Sequence, residues 1–69
     1  RAMIEIELNG DQHRLGADTS VALLLQQLGL ADKRVAVEYN LDILPKSQHC
    51  STAIKAGDRI EIVHAIGGG

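Results

Sequence analysis

Only one stretch of this chain carries the periodicity of a helix, and that limits its fold more than any other feature. Val21, Leu24, Leu25 and Leu28 fall at i, i+3, i+4 and i+7, which places them on a single apolar stripe. Asp18, Thr19 and Ser20 supply side-chain oxygens just before it, and Thr19 is the expected N-cap. Gly29 stands where a left-handed C′ residue belongs, with Leu30 after it to make the closing apolar contact. Leu23 falls off the stripe and is expected to be exposed. Every other patterned segment reads as strand. A lone amphipathic helix must bury its stripe, and a sheet is the only surface this chain offers it.

The strands follow from alternation and turn chemistry. Ile4, Ile6 and Leu8 alternate with Glu5 and Glu7, the period of a half-buried strand. Asn9-Gly10 then signals a hairpin, because a type I′ turn needs positive φ at both central residues. Residues 11–15 form the returning strand, with Leu15 its one clear core residue. Beyond the helix, Val35, Val37 and Tyr39 alternate with Ala36 and Glu38, and Asn40 is a turn residue that tolerates positive φ. Ile43-Leu44-Pro45 is too short and too near a proline for a central strand, so it is an edge piece. Residues 47–52 carry no periodicity, and a short turn of helix is expected over residues 51–56. Gly57-Asp58 turns the chain into a last strand, with Ile60 and Ile62 pointing in and Arg59, Glu61 and Val63 pointing out. The expected fold is α+β: a mixed sheet of four to five strands packed on one amphipathic helix.

Size and composition narrow the functions open to such a fold. At 69 residues the chain is one small domain. Tyr39 is its only aromatic, so the core is Val, Ile and Leu. A core this small rarely supplies more than about 3–5 kcal/mol, which leaves little room for strained catalytic geometry or a buried cofactor. The single cysteine, Cys50, cannot form an internal disulfide, which suits the reducing cytosol and an expected cytoplasmic location. No apolar run reaches membrane-spanning length, and no signal-peptide pattern precedes the first strand. Met3 is the expected natural start, with Arg1 and Ala2 a cloning remnant. A net charge of −2 argues against nucleic acid as a partner.

Side chains that do chemistry are scarce. His49 and Cys50 are neighbours, but with no second cysteine and no His-x₃₋₅-His spacing they make no zinc signature. A nucleophilic Cys50 would also need a base and a third group to orient it. His13 and His64 have no partner motif either, and no glycine opens a helix in a phosphate-binding pattern. What remains is the end of the chain. Ile66 leads straight into Gly67, Gly68 and Gly69. That is how a frayed terminus or a linker reads. It is also how a chain reads when it offers a side-chain-free carboxylate to a narrow channel, since glycine lets a foreign backbone or nucleotide come close. A carboxylate reacts only once a partner attaches a leaving group, most simply AMP from ATP. The activated acyl group is then open to a sulfur nucleophile, giving a sulfur carrier, or to an amine, giving a protein tag.

Taken in order, these segments resemble the ThiS-type sulfur carrier family of thiamine biosynthesis, a ubiquitin-like β-grasp family. The resemblance runs through Asn9-Gly10, Thr19-Ser20-Val21-Ala22-Leu23-Leu24, Val35-Ala36-Val37-Glu38-Tyr39-Asn40, Ile43-Leu44-Pro45 with Ser47, Gly57-Asp58-Arg59-Ile60-Glu61-Ile62-Val63 and the terminal glycines. The chain departs from the family at Leu41, where a glycine often follows the asparagine, and at His49, near which an aromatic is common. The resemblance implies a β-grasp domain over residues 1–66 and a flexible glycine tail over residues 67–69. It implies that Gly69 is adenylated by a ThiF-type enzyme using ATP, with Gly67 and Gly68 threading the partner's channel. Gly69 then becomes a thiocarboxylate, loaded through a sulfur-donor enzyme and unloaded on a ThiG-type thiazole synthase. No cofactor is bound stably, and the free chain is expected to be a monomer that touches neither nucleic acid nor membrane. In this fold the first and last strands lie side by side in parallel and the third pairs with the last. Glu5, Glu7, Ala36, Glu38, Glu61 and Val63 would then share one outer face, which is either a solvated sheet surface or the docking surface for the activating enzyme. A MoaD-type carrier for molybdopterin synthesis, a ubiquitin-like modifier conjugated through Gly69 and a non-covalent binding module are the other readings of the same residues.

Overall fold

Asn9 and Gly10 take φ of 49° and 87°, the two positive angles of the expected two-residue turn. They join β1 (Met3–Leu8) to β2 (Asp11–Gly16) in an antiparallel pair with Leu8 opposite Asp11. There follow α1 (Val21–Gln27), β3 (Val35–Tyr39), β4 (Asp42–Leu44), a 3₁₀ turn over Lys46–Gln48 and β5 (Arg59–His64). The strand order is β2-β1-β5-β3-β4, with β1 parallel to β5 and every other pair antiparallel. This is the mixed β-grasp arrangement expected, with α1 on one face of the sheet. This computed structural model describes residues 2–65. Arg1 and the tail glycines Gly67, Gly68 and Gly69 lie outside the described residues, as does Ile66.

The core is aliphatic, as the lack of aromatics requires. Ile6 of β1, Leu15 of β2, Val37 of β3 and Ile60 and Ile62 of β5 close on Val21, Leu24 and Leu25 of α1. Ile54 joins them from an irregular segment. A seven-residue helix is too short to persist alone in water, so burial of this face is what holds α1 in place.

The helix start differs from the expected one. Ser20, not Thr19, is the N-cap, and its Oγ accepts from Leu23 N–H at 3.1 Å. Thr19 is buried and is held through its backbone instead. Its N–H donates to Gly16 O at 3.1 Å and its carbonyl accepts from Ile54 N–H at 3.0 Å. The next helical donors are also met from outside, Val21 N–H by Thr52 O and Ala22 N–H by His49 O, both at 3.0 Å. Residues 51–56 are therefore not a helical turn. They lie alongside the start of α1 through the Ser20–Ala53 bridge, and the single helical turn falls earlier, at Lys46–Gln48.

The helix end matches expectation except at Leu28. Gly29 has φ of 74°, and Leu30 N–H reaches Leu25 O at 2.8 Å while Gly29 N–H reaches Gln26 O at 3.0 Å. That pair of bonds is a Schellman closure. Leu28 is the C-cap and 36% exposed. The left-handed turn at Gly29 carries Leu30 onto the core in its place.

β5 is the central strand, yet its parallel register with β1 covers only Glu7–Arg59 and Leu8–Ile60. Beyond the end of β1 the side chain of Asn9 continues the ladder, accepting Ile62 N–H at 2.7 Å. On the β3 side Asn40 Oδ1 accepts Arg59 N–H at 2.8 Å. Both turn asparagines thus have two jobs, a left-handed backbone and a side-chain acceptor for β5.

Asp58 ties the same corner together, accepting from the Tyr39 hydroxyl, from Lys55 N–H at 2.8 Å and from Asn40 Nδ2 at 3.2 Å. Burial pulls its carboxyl up, but the bonds from Tyr39, Lys55 and Asn40 and the Lys55 charge outweigh it, and its pKa falls below 3.8. Burial first, then the bond to Asp58 and its negative charge, push the Tyr39 phenol up to about 12. For Asp58 the unfolded chain binds the proton more readily, so its contribution is present above the unfolded pKa and is lost as pH falls. For Tyr39 the contribution is complete below the unfolded pKa and lost as pH rises towards about 12. Melting temperature against pH should therefore drop on the acid side below about pH 4, and Asp58→Asn should flatten that limb. Identical acid limbs in parent and variant would rule Asp58 out as the group responsible.

The Asn40-Leu41 turn carries strain. Leu41 has φ of 77° and is 70% exposed, so a branched residue holds a conformation that favours glycine without gaining burial. Leu41→Gly should raise stability by about 1 kcal/mol, or about 4–8 °C in Tm for a domain of this size. An unchanged or lower Tm would mean that the Leu41 side chain does more than sit in solvent.

Candidate functional site

The site expected from the sequence has two parts, the terminal glycines and the outer face of the sheet. The glycines lie outside the described residues, but their point of departure is defined. His64 is opposite Val35, and Ala65 N–H donates to Arg34 O at 2.8 Å. The last strand is thus held to β3 up to the residue before Ile66.

Register places the six outer-face residues together. Glu7 is opposite Arg59, Glu61 opposite Glu38 and Val63 opposite Ala36, and side chains two apart on a strand share a face. Glu5 and Glu7 therefore share a face with Arg59, Glu61, Val63, Glu38 and Ala36. Val63 is 58% exposed. Arg59, Ile43 and Arg14, the last opposite Glu5, lie on the same face beside these six. Ile43, opposite Glu38, is 66% exposed; the two-residue Asn40-Leu41 turn fixes that register, and that was the available signal. Arg59 sits among the acids, its Nε 3.3 Å from Glu7 Oε2 and its Nη2 3.4 Å from Glu61 Oε2. These are half-exposed pairs worth about 0–1 kcal/mol each. Their effect is to mask part of the negative charge of Glu7 and Glu61, while Glu5 and Glu38 have no ion-pair partner among the described residues. Glu38 directly opposes Glu61, and like charges across a ladder are unfavourable.

The titratable residues elsewhere do not converge. His49 is buried, and its Nε2–H donates to Leu44 O at 3.2 Å, tying the 3₁₀ turn back to β4. Cys50 beside it is exposed. Among the described residues no three of His, Cys, Asp and Glu gather as a metal site, and no helix is long and apolar enough to cross a membrane.

A cleft of about 490 Å³ opens on the helix side near the end of β5. Leu25, Leu30 and Val35 give it an apolar floor, and Lys33, Arg34 and Lys46 line it with exposed cations. Ala65 also borders it. Nothing in the local sequence pattern brings Lys46 beside Lys33 and Arg34; the fold does.

Comparison with known proteins agrees with this fold. The model of the ThiS family matches residues 4–69. A thiazole synthase of Paramagnetospirillum magneticum is 42% identical over 66 residues, covering 96% of this chain; the chain spans only 20% of that protein's length. The sulfur carrier protein ThiS of Bacillus subtilis is 37% identical over 65 residues, covering 93% of this chain and 98% of that protein. The crystal structure of a thiamine biosynthesis protein, ThiS, from Geobacter metallireducens superposes with a TM-score of 0.84 at 29% identity, covering 96% of this chain and all of that one.

Proposed function

The chain belongs to the ThiS family, and on that premise we propose that it is a sulfur carrier of thiamine biosynthesis, acted on by partner enzymes and not itself a catalyst. The carboxylate of Gly69 is the reacting group in this reading. A carboxylate oxygen of Gly69 attacks the α-phosphorus of ATP held by a ThiF-type enzyme, pyrophosphate leaves, and an acyl adenylate forms. A sulfur nucleophile at the oxidation level of sulfide, brought by a donor enzyme, then displaces AMP and leaves a thiocarboxylate. That sulfur passes into the thiazole ring on a ThiG-type synthase. Gly67 and Gly68 keep the approach to the carbonyl free of side chains.

The observation that carries this reading is that the family match continues through residue 69, so the terminal glycines are part of what is matched. The likeness to the Bacillus subtilis sulfur carrier over nearly its whole length supports the same role. A unit similar to this chain also occurs within a thiazole synthase. Joining two units raises their effective concentration, which supports a synthase as the acceptor. The intact mass of the chain from its native host tests the proposal: a loaded population should appear about 16 Da above the unloaded one, the mass of oxygen replaced by sulfur. A single unshifted mass under thiamine starvation would count against it.

The outer sheet face is the proposed docking surface for the activating enzyme. Ala36, Val63 and Ile43 supply apolar contact, and Glu5, Glu7, Glu38 and Glu61 steer a basic patch. Glu5 and Glu38 are the better test of steering, because Glu7 and Glu61 already share Arg59. Glu5→Lys with Glu38→Lys should slow association with the activating enzyme by about tenfold at low salt, and less as salt rises. Val63→Asp should instead speed dissociation. Association that is unchanged in the double variant at low ionic strength would leave this face as ordinary solvated sheet.

A further inference from the structure

We propose that the cleft beside the end of β5 is a second docking site, built for an acidic segment of a partner protein that also carries an aliphatic side chain. The inference rests on the sulfur-carrier reading only for the partner's identity, because binding in the cleft requires no activated or loaded terminus. The cleft stands out by a segregation of charge that the whole-chain value conceals. The chain as a whole carries −2, yet the cleft gathers Lys33, Arg34 and Lys46 against one carboxylate, Asp32, a local balance of +2. The outer sheet face holds Glu5, Glu7, Glu38 and Glu61 against Arg14, opposite Glu5, and Arg59, a balance of −2. None of the three cleft cations makes an ion pair among the described residues. One molecule thus offers surfaces of opposite sign, suited to partners of opposite charge.

The construction of the cleft favours a protein segment over a small ligand. Small-molecule sites bury most of the ligand and hold it with a few convergent polar groups. Here the buried polar side chain in the lining, His49, has its Nε2–H engaged by Leu44 O, and the charged groups are exposed. An apolar floor of Leu25, Leu30 and Val35 with charges around it has the anatomy of a protein interface. An aliphatic side chain would cover the floor and flanking carboxylates would meet Lys33, Arg34 and Lys46. Because Ala65 borders the cleft, a partner seated there is beside the point from which residues 66–69 leave. It is therefore placed to receive the tail without covering the outer sheet face.

Cys50, the sole cysteine, is exposed and borders the cleft, so its alkylation reports occupancy. The experiment uses the full unloaded chain, iodoacetamide and a nine-residue peptide of Glu and Leu. The acidic peptide should slow Cys50 alkylation several-fold at saturation. Lys33→Glu with Lys46→Glu, both exposed positions, should keep the parent's melting temperature and demand about tenfold more peptide for the same protection at low salt. Glu5→Lys with Glu38→Lys on the other face should leave protection as it is or strengthen it. Equal protection by a peptide of Lys and Leu, or by inorganic phosphate or ATP alone, would overturn the proposal, the latter in favour of a small-anion site. Protection indifferent to the Lys reversals would overturn it as well. The two readings fail separately: a chain that never acquires the thiocarboxylate but shows this protection loses the carrier role and keeps the cleft, and the reverse result removes only the cleft.

Discussion

Leu24→Ala should leave the chain largely unfolded near room temperature. Leu24 has no exposed surface and packs at the centre of the aliphatic core. Removing the side chain of a buried leucine costs about 2–5 kcal/mol, from lost transfer energy and from the cavity left behind. A domain of this size has about 3–5 kcal/mol in total, so the two quantities are comparable and the substitution decides whether the fold survives. Relaxation offers little relief. The buried core contains no aromatic or methionine that could swing into the gap, only Val, Leu and Ile of the sheet, of a helix clamped at both ends and, at Ile54, of an irregular segment. Tyr39, which packs against it, is tied by its hydroxyl to Asp58. Urea denaturation followed by circular dichroism gives the answer directly. A midpoint within about 0.5 M of the parent's, against a slope of about 1 kcal/mol per molar, would show that α1 does not carry the core. Leu23→Ala, on the same helix but 39% exposed, should change little and serves as the matched control.

That contrast between adjacent leucines was legible in the sequence, because period and capping chemistry are local. The alternation in β1, β3 and β5 likewise foretold which side chains face in, and Asn9-Gly10 foretold its turn. What escaped was whatever depends on distant partners. Thr19 and Ser20 are almost equal as caps by residue type; Ser20 serves because Thr19 is drawn into backbone bonds with Gly16 and Ile54. Ile54 sits in a segment without periodicity, yet it is buried because the bridge to Ser20 folds that segment over the helix start. Asn9 and Asn40 were legible as turn residues but not as acceptors for β5, a task set by the short parallel register. On the outer face the acidic residues were legible from alternation, while the masking of Glu7 and Glu61 by Arg59 needed side-chain positions. The basic cleft was invisible for the same reason, since Lys46 joins Lys33 and Arg34 only through the fold.

Gly68→Val should abolish sulfur loading while leaving the fold intact, the opposite of Leu24→Ala. The last described bond of β5, from Ala65 N–H to Arg34 O, lies before the glycines, so the substitution should move stability by no more than about 0.5 kcal/mol. Its effect falls on reach and access. Gly69 is the fourth residue after Ala65, and at about 3.3–3.6 Å per residue an extended tail delivers the carboxylate roughly 13–14 Å from that anchor. A β-branched side chain one residue from the end both widens the tail and stiffens it. Deleting Gly69 keeps the tail slim but draws the carboxylate back by about 3.5 Å. A displacement of even 1 Å at a reacting group can cost about a hundredfold in rate, so both variants should fall below detectable conversion in an assay with the activating enzyme and ATP. Gly68→Ala separates the causes, since one methyl adds little width: a partial loss points to bulk in a narrow channel, a complete loss to backbone angles only glycine adopts. Both variants are scored by intact mass, with circular dichroism confirming the fold. Should Gly68→Val load at the parent's rate, the tail would not be threading a tight channel, and the three glycines would need another explanation than access to the carbonyl of Gly69.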